Sequence, residues 1–230
     1  MKTNPKNIES MVERQVGRYL VEKKRIEGAA HWRPLVVISR QYGALGAALA
    51  TRVGELLGFT VWDREILQEM ARNSRTSERL LEALDERRRN TIAEMMSVFY
   101  QGPHVTADQF FLRLVRVLHT IGQHGNVVIV GRGSQFVFNS DVALRVRVVA
   151  SLDDRIKGIA NRKGLDLDAA REEVRRVDSD RRAFLLDHYK KDPDDTTHYE
   201  LVVNTTTLGM ETAATVVVTA YRSRFGLDAS

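Results

Sequence analysis

Side chains and turns of the kind that handle phosphate fall at four places along the chain. The first is Ser39-Arg40-Gln41-Tyr42-Gly43-Ala44-Leu45-Gly46, which follows the apolar start of the run Leu35–Ser39 and precedes a helical stretch over Ala47–Leu57. A helix beginning after such a turn points free N–H groups and the positive end of its dipole into it, and the glycines let backbone approach an oxyanion. The turn departs from the usual G-x-x-x-x-G-K-[ST] phosphate loop, because no Lys closes it and no Ser or Thr follows to hold magnesium. By itself it reads equally well as a plain turn whose glycines serve backbone angles alone.

The second place is Arg132, set between Gly131 and Gly133 just past the apolar run Val127–Val130. In parallel sheets ligands bind at the carboxyl ends of strands, which favours a functional Arg there over an incidental one. The third is a pair of Arg-rich helices. Arg155 and Arg162 are seven residues apart and share a face; Arg171, Arg175, Asp178 and Arg182 follow at spacings of four, three and four, with Arg181 beside them. Val174, Val177, Phe184 and Leu185 form the adjacent apolar stripe. Arg is suited to phosphate because its planar fork is always charged and binds two oxygens at once. A solvated face of paired charges would give the same pattern. The fourth is Asp63, whose type and position fit the N-cap of the following helix.

These residues need elements to hold them. Leu35–Ser39 and Val127–Val130 are short, continuous, β-branched runs, the pattern of strands buried on both faces. Phe59–Trp62 predicts a shorter strand. Ala143–Ala150 alternates Leu144, Val146 and Val148 with Arg145 and Arg147, which predicts a strand nearer a sheet edge, and Leu201–Asn204 predicts the last strand. Helices are expected at 152–163 and 167–188, parted by Gly164, and at Met210–Arg224. Residues 63–123 read as mostly helical, with one break at Gly102–His104. Buried strands alternating with helices give an α/β fold, a parallel sheet with helices on both faces. Residues 1–30 predict an additional amphipathic helix before the domain at 31–230, a surface for a partner or a second copy.

Composition closes several alternatives. The chain has 230 residues, 43% hydrophobic and 28% charged, with 15 Gly and 4 Pro, inside the ordinary globular range. The absence of Cys excludes disulfides and thiolate chemistry, and fits a reducing compartment. The start of the chain has no apolar signal core, and no run approaches the roughly 18 apolar residues of a membrane span, so a cytoplasmic protein is expected. Net charge is +5, which suits anionic ligands of any kind. The run Arg87-Arg88-Arg89 sits beside Asp85 and Glu86 without interleaved aromatics, which disfavours nucleic-acid binding. The six His residues show no metal-ligand spacing, so no metal ligands are assigned.

The order of these segments resembles the cytidylate kinase-like family of P-loop proteins. The resemblance is carried by Val36-Val37-Ile38-Ser39-Arg40-Gln41-Tyr42-Gly43, by Trp62-Asp63-Arg64-Glu65-Ile66, by Val130-Gly131-Arg132-Gly133, by Asp178-Ser179-Asp180-Arg181, and by His198-Tyr199-Glu200-Leu201-Val202-Val203-Asn204-Thr205. It spans about residues 35 to 220 and implies a nucleoside monophosphate kinase with ATP and Mg2+, acting on a CMP- or dCMP-like acceptor. It also implies roles. Ser39, Arg40, Gln41, Tyr42, Gly43, Ala44 and Gly46 would form the ATP loop, and Asp63 and Arg132 would serve the acceptor. Arg155, Arg162, Arg175, Asp178 and Arg181 would close over the phosphates from a lid at about 152–190, with 63–123 as the acceptor-side region.

The loop departs from that family's pattern. Where the resembling proteins carry Gly-Ser-Gly-Gly-Arg, this chain has Gly43-Ala44-Leu45-Gly46-Ala47, losing a hydroxyl, a glycine and a cation together. Leu45 is expected to keep a negative φ and pack back onto the sheet, since a positive φ is costly for a branched residue. The erosion also fits a second function, a nucleotide-binding sensor or interaction protein without chemistry.

Overall fold

A computed structural model describes residues 34–72, 86–101 and 109–226, together with the single residues 17, 78, 81, 82 and 84. The helix expected over 1–30 and the break at Gly102–His104 lie outside the described residues, residue 17 apart. The chain divides into two compact units, one of Met1–Arg33 with Trp62–Val127 and the other of Pro34–Val61 with Val128–Ser230.

The second unit carries the sheet. Its strands are β1 (Leu35–Arg40), β2 (Thr60–Trp62), β3 (Val127–Val130), β4 (Ala143–Val149) and β5 (Leu201–Asn204), in the order β2-β3-β1-β4-β5. β1 runs parallel to both neighbours, with Val37 opposite Ile129 of β3 and Arg145 of β4; β4 runs parallel to β5, with Val148 opposite Val203. Alternation along the strands sets two faces. Val36, Ile38, Leu144, Val146, Val148 and Val203 pack against Leu49, Ala50 and Val53 of α1 (Gly46–Leu57) and Ala213, Ala214 and Val217 of the helix Met210–Arg224. Tyr221 of that last helix meets Phe59 edge to face at 5.5 Å and donates its hydroxyl to the Pro34 carbonyl. That bond satisfies the one polar atom of an otherwise apolar core residue.

β4 lies one strand in from the edge, consistent with the expectation of a strand nearer an edge. It is bonded on both sides, and β5 forms the edge. Arg145 and Arg147 are tolerated on this interior strand because each is paired: Arg145 Nη2 lies 2.5 Å from Glu200 Oε1, and Arg147 donates to Ser39 Oγ at 2.8 Å and to Asp194 Oδ1 at 2.7 Å. A charge enters a sheet interior only with such partners.

The helical unit contains α2 (Arg64–Arg72), α3 (Glu86–Gln101) and α4 (Gln109–His124). Asp63 caps α2 as expected, its Oδ1 accepting from the N–H groups of Glu65 and Ile66 at 3.0 Å each. On α4, Leu114, Val115, Leu118 and Ile121 are fully buried, and His119 is buried beside them. Burial lowers the His119 pKa to about 4, because the charged imidazolium would lose its hydration.

The folded value lies below the unfolded value near 6.5, so the unfolded chain binds the proton first. Stability contributed by neutral His119 is complete above about pH 6.5 and is lost as pH falls toward 4, by about 3 kcal/mol at most. Chemical denaturation across that window should show the decline in the wild type and a flattened profile in H119Q. An unchanged slope in H119Q would refute this assignment.

Candidate functional site

The residues singled out by type and spacing, Asp63 apart, belong to the sheet unit, and several of them gather at the carboxyl end of β1. The strand lies between β3 and β4, and the chain leaves it toward opposite edges of the sheet. Such a reversal opens the crevice where ligands bind in α/β sheets.

The loop between β1 and α1 is braced from several directions. Gln41 donates its N–H to the Val148 carbonyl at 3.0 Å, and its side-chain Oε1 accepts from the Ala150 N–H at 3.1 Å. Ala44 is fully buried and its carbonyl accepts from Thr205 Oγ1 at 3.2 Å. Gly43 has φ 87, and a Cβ there would lie 3.0 Å from the Arg155 Cβ. The glycine is required twice over, by backbone angle and by space.

Leu45 differs from its expectation. Its φ is 58 and ψ 14, the left-handed region, and it is 53% exposed. The buried position under the loop is taken by Ala44, which points the next side chain outward. Leu45 stands at the N-cap of α1 with no side-chain cap, leaving the first N–H groups of that helix without the protein acceptor a Ser or Asp would give.

Arg40 and Ser39 leave β1 on opposite faces. Ser39 is buried and bonded to Arg147 and, at 3.2 Å, to the Tyr199 hydroxyl, so it supports the loop from beneath. Tyr199 also donates to the Pro193 carbonyl at 2.8 Å, and burial raises its pKa. The Arg40 stem crosses the first turn of α1: a Cβ on Gly46 would lie 2.6 Å from the Arg40 Cβ, and one on Gly131 only 1.9 Å from its Nη1. Two glycines distant in sequence thus make room for one arginine, Gly46 for its stem and Gly131 for its guanidinium.

Beyond β3, Gly131, Arg132 and Gly133 all have positive φ, at 77, 58 and 74. The turn is held by the Tyr189 hydroxyl, which donates to the Arg132 carbonyl at 2.8 Å, while Tyr189 itself packs so closely on Gly133 that a Cβ there would collide with its ring. Burial raises the Tyr189 pKa, keeping the hydroxyl a donor. The Arg132 guanidinium lies 5.4 Å from the Phe184 ring.

The Arg-rich pair spans Leu152–Lys163 and Leu167–Tyr189. The shorter helix is capped by Ser151 and ended by Gly164; the longer is capped by Asp166. Ile156, Ile159, Ala160, Ala170 and Val174 form a small core between them, and Tyr42 of the loop packs against it. Arg155 is 7% exposed, and its Nη1 lies 2.5 Å from Asp178 Oδ2 and 3.3 Å from the Tyr42 carbonyl. Asp178 Oδ1 in turn accepts from the Tyr42 N–H at 2.7 Å. The guanidinium carbons of Arg181 and Arg162 lie 5.2 and 5.9 Å from the Tyr42 ring, and Arg181 Nη1 donates to the Arg40 carbonyl at 3.3 Å. Lys163 and Arg176 bond Glu173 and hold its carboxyl down to about 2.

Arg155, Arg162, Asp178 and Arg181 are therefore brought to the loop. Arg175 is not: it is exposed, and its ion pair among the described residues is with Glu172 at 3.4 Å. Sequence reasoning missed Arg147, Tyr189 and Thr205. Arg147 carried a signal, a cation alternating with buried valines; the two hydroxyls carried none beyond their type.

A sheet in this order, with a glycine turn feeding an uncapped helix from its central strand, defines an α/β P-loop kinase-like fold. The model of the cytidylate kinase-like family matches residues 35–207, and the chain belongs to that family. A cytidylate kinase of Staphylothermus marinus is 30% identical over 93 residues, 40% of this chain and 52% of that protein, so this chain spans about half the length of the curated relative it matches. Among solved structures, an uncharacterized protein from Eubacterium ventriosum superposes with a TM-score of 0.67 at 17% identity, covering 83% of this chain and 99% of the other. Among the described residues no helix is long and apolar enough to cross a membrane.

The strain at Leu45 is testable apart from any ligand. A left-handed non-glycine residue costs roughly 1–2 kcal/mol, partly offset by the greater unfolded-state freedom of Gly. Leu45→Gly should therefore leave stability unchanged or raise it by up to about 1 kcal/mol in urea denaturation. A loss of more than about 1 kcal/mol would show that the exposed side chain packs on something.

Proposed function

We propose that the protein is a nucleotide kinase that moves a phosphoryl group from ATP to a nucleoside monophosphate of the CMP or dCMP type. The observation that carries this reading is the convergence of Arg155, Arg162 and Arg181 on a glycine loop that lacks a closing Lys or Arg. In this reading the uncapped first turn of α1 takes the donor phosphates through backbone N–H groups, and Arg132 holds the acceptor phosphate. Arg155 and Arg181 supply charge to the group in transfer, where electrostatic stabilisation is most of the catalysis. Asp63, as the cap of α2, would fix the start of the acceptor-side helices.

Magnesium fits this loop poorly. Ala48, which follows the cation's place at Ala47, offers it no hydroxyl, and among the described residues no cluster of three acidic or His side chains could hold a metal. Magnesium arriving with ATP would keep phosphate and water ligands, and no step is assigned to it. The second reading, a nucleotide-binding protein without turnover, is favoured by the same loop, in which Leu45 projects outward and Asp178 already accepts from the Tyr42 N–H.

A coupled assay over a panel of nucleoside monophosphates at high enzyme concentration should give the highest turnover with CMP or dCMP. Calorimetric binding of ATP without turnover of any acceptor selects the second reading. The double variant Leu45→Gly with Ala47→Arg should tighten ATP binding by about 1.5–3 kcal/mol, the range of a hydrogen bond to a charged group. If it binds ATP no better than the parent, the loop is not a nucleotide loop and the kinase reading falls.

A further inference from the structure

Asp178 belongs to a helix that would close over the loop, yet its carboxylate already makes the contacts a phosphate would make. One oxygen accepts from the Tyr42 N–H at 2.7 Å and the other from Arg155 Nη1 at 2.5 Å. A donor amide on the loop and a guanidinium on the helix, converging on two oxygens of one anion, are the elements of an oxyanion site. Arg155 is almost wholly buried, whereas the Asp178 side chain is 31% exposed. The cation is fixed in place and the anion sits at the open side.

We infer that Tyr42 N–H and Arg155 form an anion site for a phosphate of a polyphosphate ligand, and that Asp178 is an internal stand-in which the ligand must displace. The inference rests on the nucleotide reading above and specifies how the site is entered. A carboxylate and a phosphoryl group cannot share two donors, so binding and the Asp178 contacts exclude one another. The surroundings fit a replaceable anion: Arg162 and Arg181 lie within 6 Å of the Tyr42 ring, while Lys163, at 6.0 Å, is already paired with Glu173, so a phosphate with more charge than a carboxylate is the better partner for Arg155 and these two arginines. Asp178 also gives the empty site what it needs, since a buried guanidinium without a counterion is strongly destabilising. Displacement frees the contact that fixes the middle of the long helix to the loop, while the Tyr42 ring still packs on the core between the two helices.

The test measures inorganic tripolyphosphate and ATP binding by calorimetry, and hydrogen exchange at the Tyr42 amide, in the full chain and in D178A. D178A should bind tripolyphosphate at least tenfold more tightly than the wild type. Its Tyr42 amide should exchange at least tenfold faster without ligand and regain protection when tripolyphosphate is added. D178N, which keeps the shape and one acceptor but not the charge, should fall between the two in affinity and provides the measurement if D178A does not fold. Wild-type binding of ATP with no tightening, or a weakening, in the variants overturns the stand-in and leaves the kinase reading intact. Failure of wild type and variants alike to bind either ligand overturns both.

Discussion

The bridge from the Tyr42 N–H through Asp178 to Arg155 is the contact on which the arrangement of the site depends. Arg155 is buried because the turn at Gly43 approaches its backbone so closely that no side chain fits between them. A guanidinium in that position must have an anion. Asp178 is placed to provide it by the helical spacing that also puts Val174, one turn earlier, into the core with Ile156 and Ile159. The loop, the first Arg-rich helix and the second are thereby fixed to each other by one carboxylate and one aromatic ring. Without the carboxylate, the loop keeps the 3.3 Å bonds from Arg155 to the Tyr42 carbonyl and from Arg181 to the Arg40 carbonyl, and the contacts of Arg181 and Arg162 with the Tyr42 ring, cation–π interactions worth about 0.5–1 kcal/mol each.

Much of this fold was legible in the sequence, for reasons tied to particular segments. Leu35–Ser39 and Val127–Val130 are central strands buried on both faces, and a run without polar alternation admits few other readings. Gly164 and Asp63 mark helix ends because each satisfies backbone groups locally, within three or four residues. What was not legible has the opposite character. Arg145 and Arg147 gave β4 the pattern of a strand near an edge, yet their partners Glu200 and Asp194 lie 55 and 47 residues further on. Local alternation records that a face is polar, not whether that polarity meets solvent or a matched charge.

The loop was misread for a related reason. A negative φ at Leu45 was the cheaper local choice, but the conformation there is settled by tertiary demands on its neighbours. Ala44 must be buried under Thr205, Gly43 must pass Arg155, and Gly46 must pass Arg40. Once Gly43 and Ala44 before it and Gly46 after it are fixed, Leu45 takes the angles that join them and accepts the strain. The Gly131-Arg132-Gly133 turn repeats the pattern: a non-glycine residue with positive φ is held by the Tyr189 hydroxyl from a helix more than fifty residues away. Strain of this kind persists only where surrounding contacts over-determine it; of the three such residues described in this unit, Leu45 and Arg132 lie at the carboxyl end of the sheet and Lys190 ends the long helix.

The placement of cations has a consequence for how such a site would work. A Lys or Arg closing the phosphate loop itself would be present at the site whether or not the helices were docked. In this chain that loop ends in Gly46 and Ala47; Arg40 runs from β1 past Gly46 toward Gly131, and the further cations at the loop, Arg155, Arg162 and Arg181, are carried by the two helices. The share of charge those three bring to the loop is then conditional on the position of the helices. That position is in turn set by whichever anion occupies Arg155 and the Tyr42 amide. An internal carboxylate keeps the helices near the loop while leaving the local charge partly neutralised; an external polyphosphate would meet the full set of guanidiniums only after that carboxylate has left. Loss of a fixed loop cation therefore does not by itself abolish electrostatic stabilisation of a phosphoryl group. It transfers that stabilisation from the loop to the helices, and makes it depend on an exchange of anions.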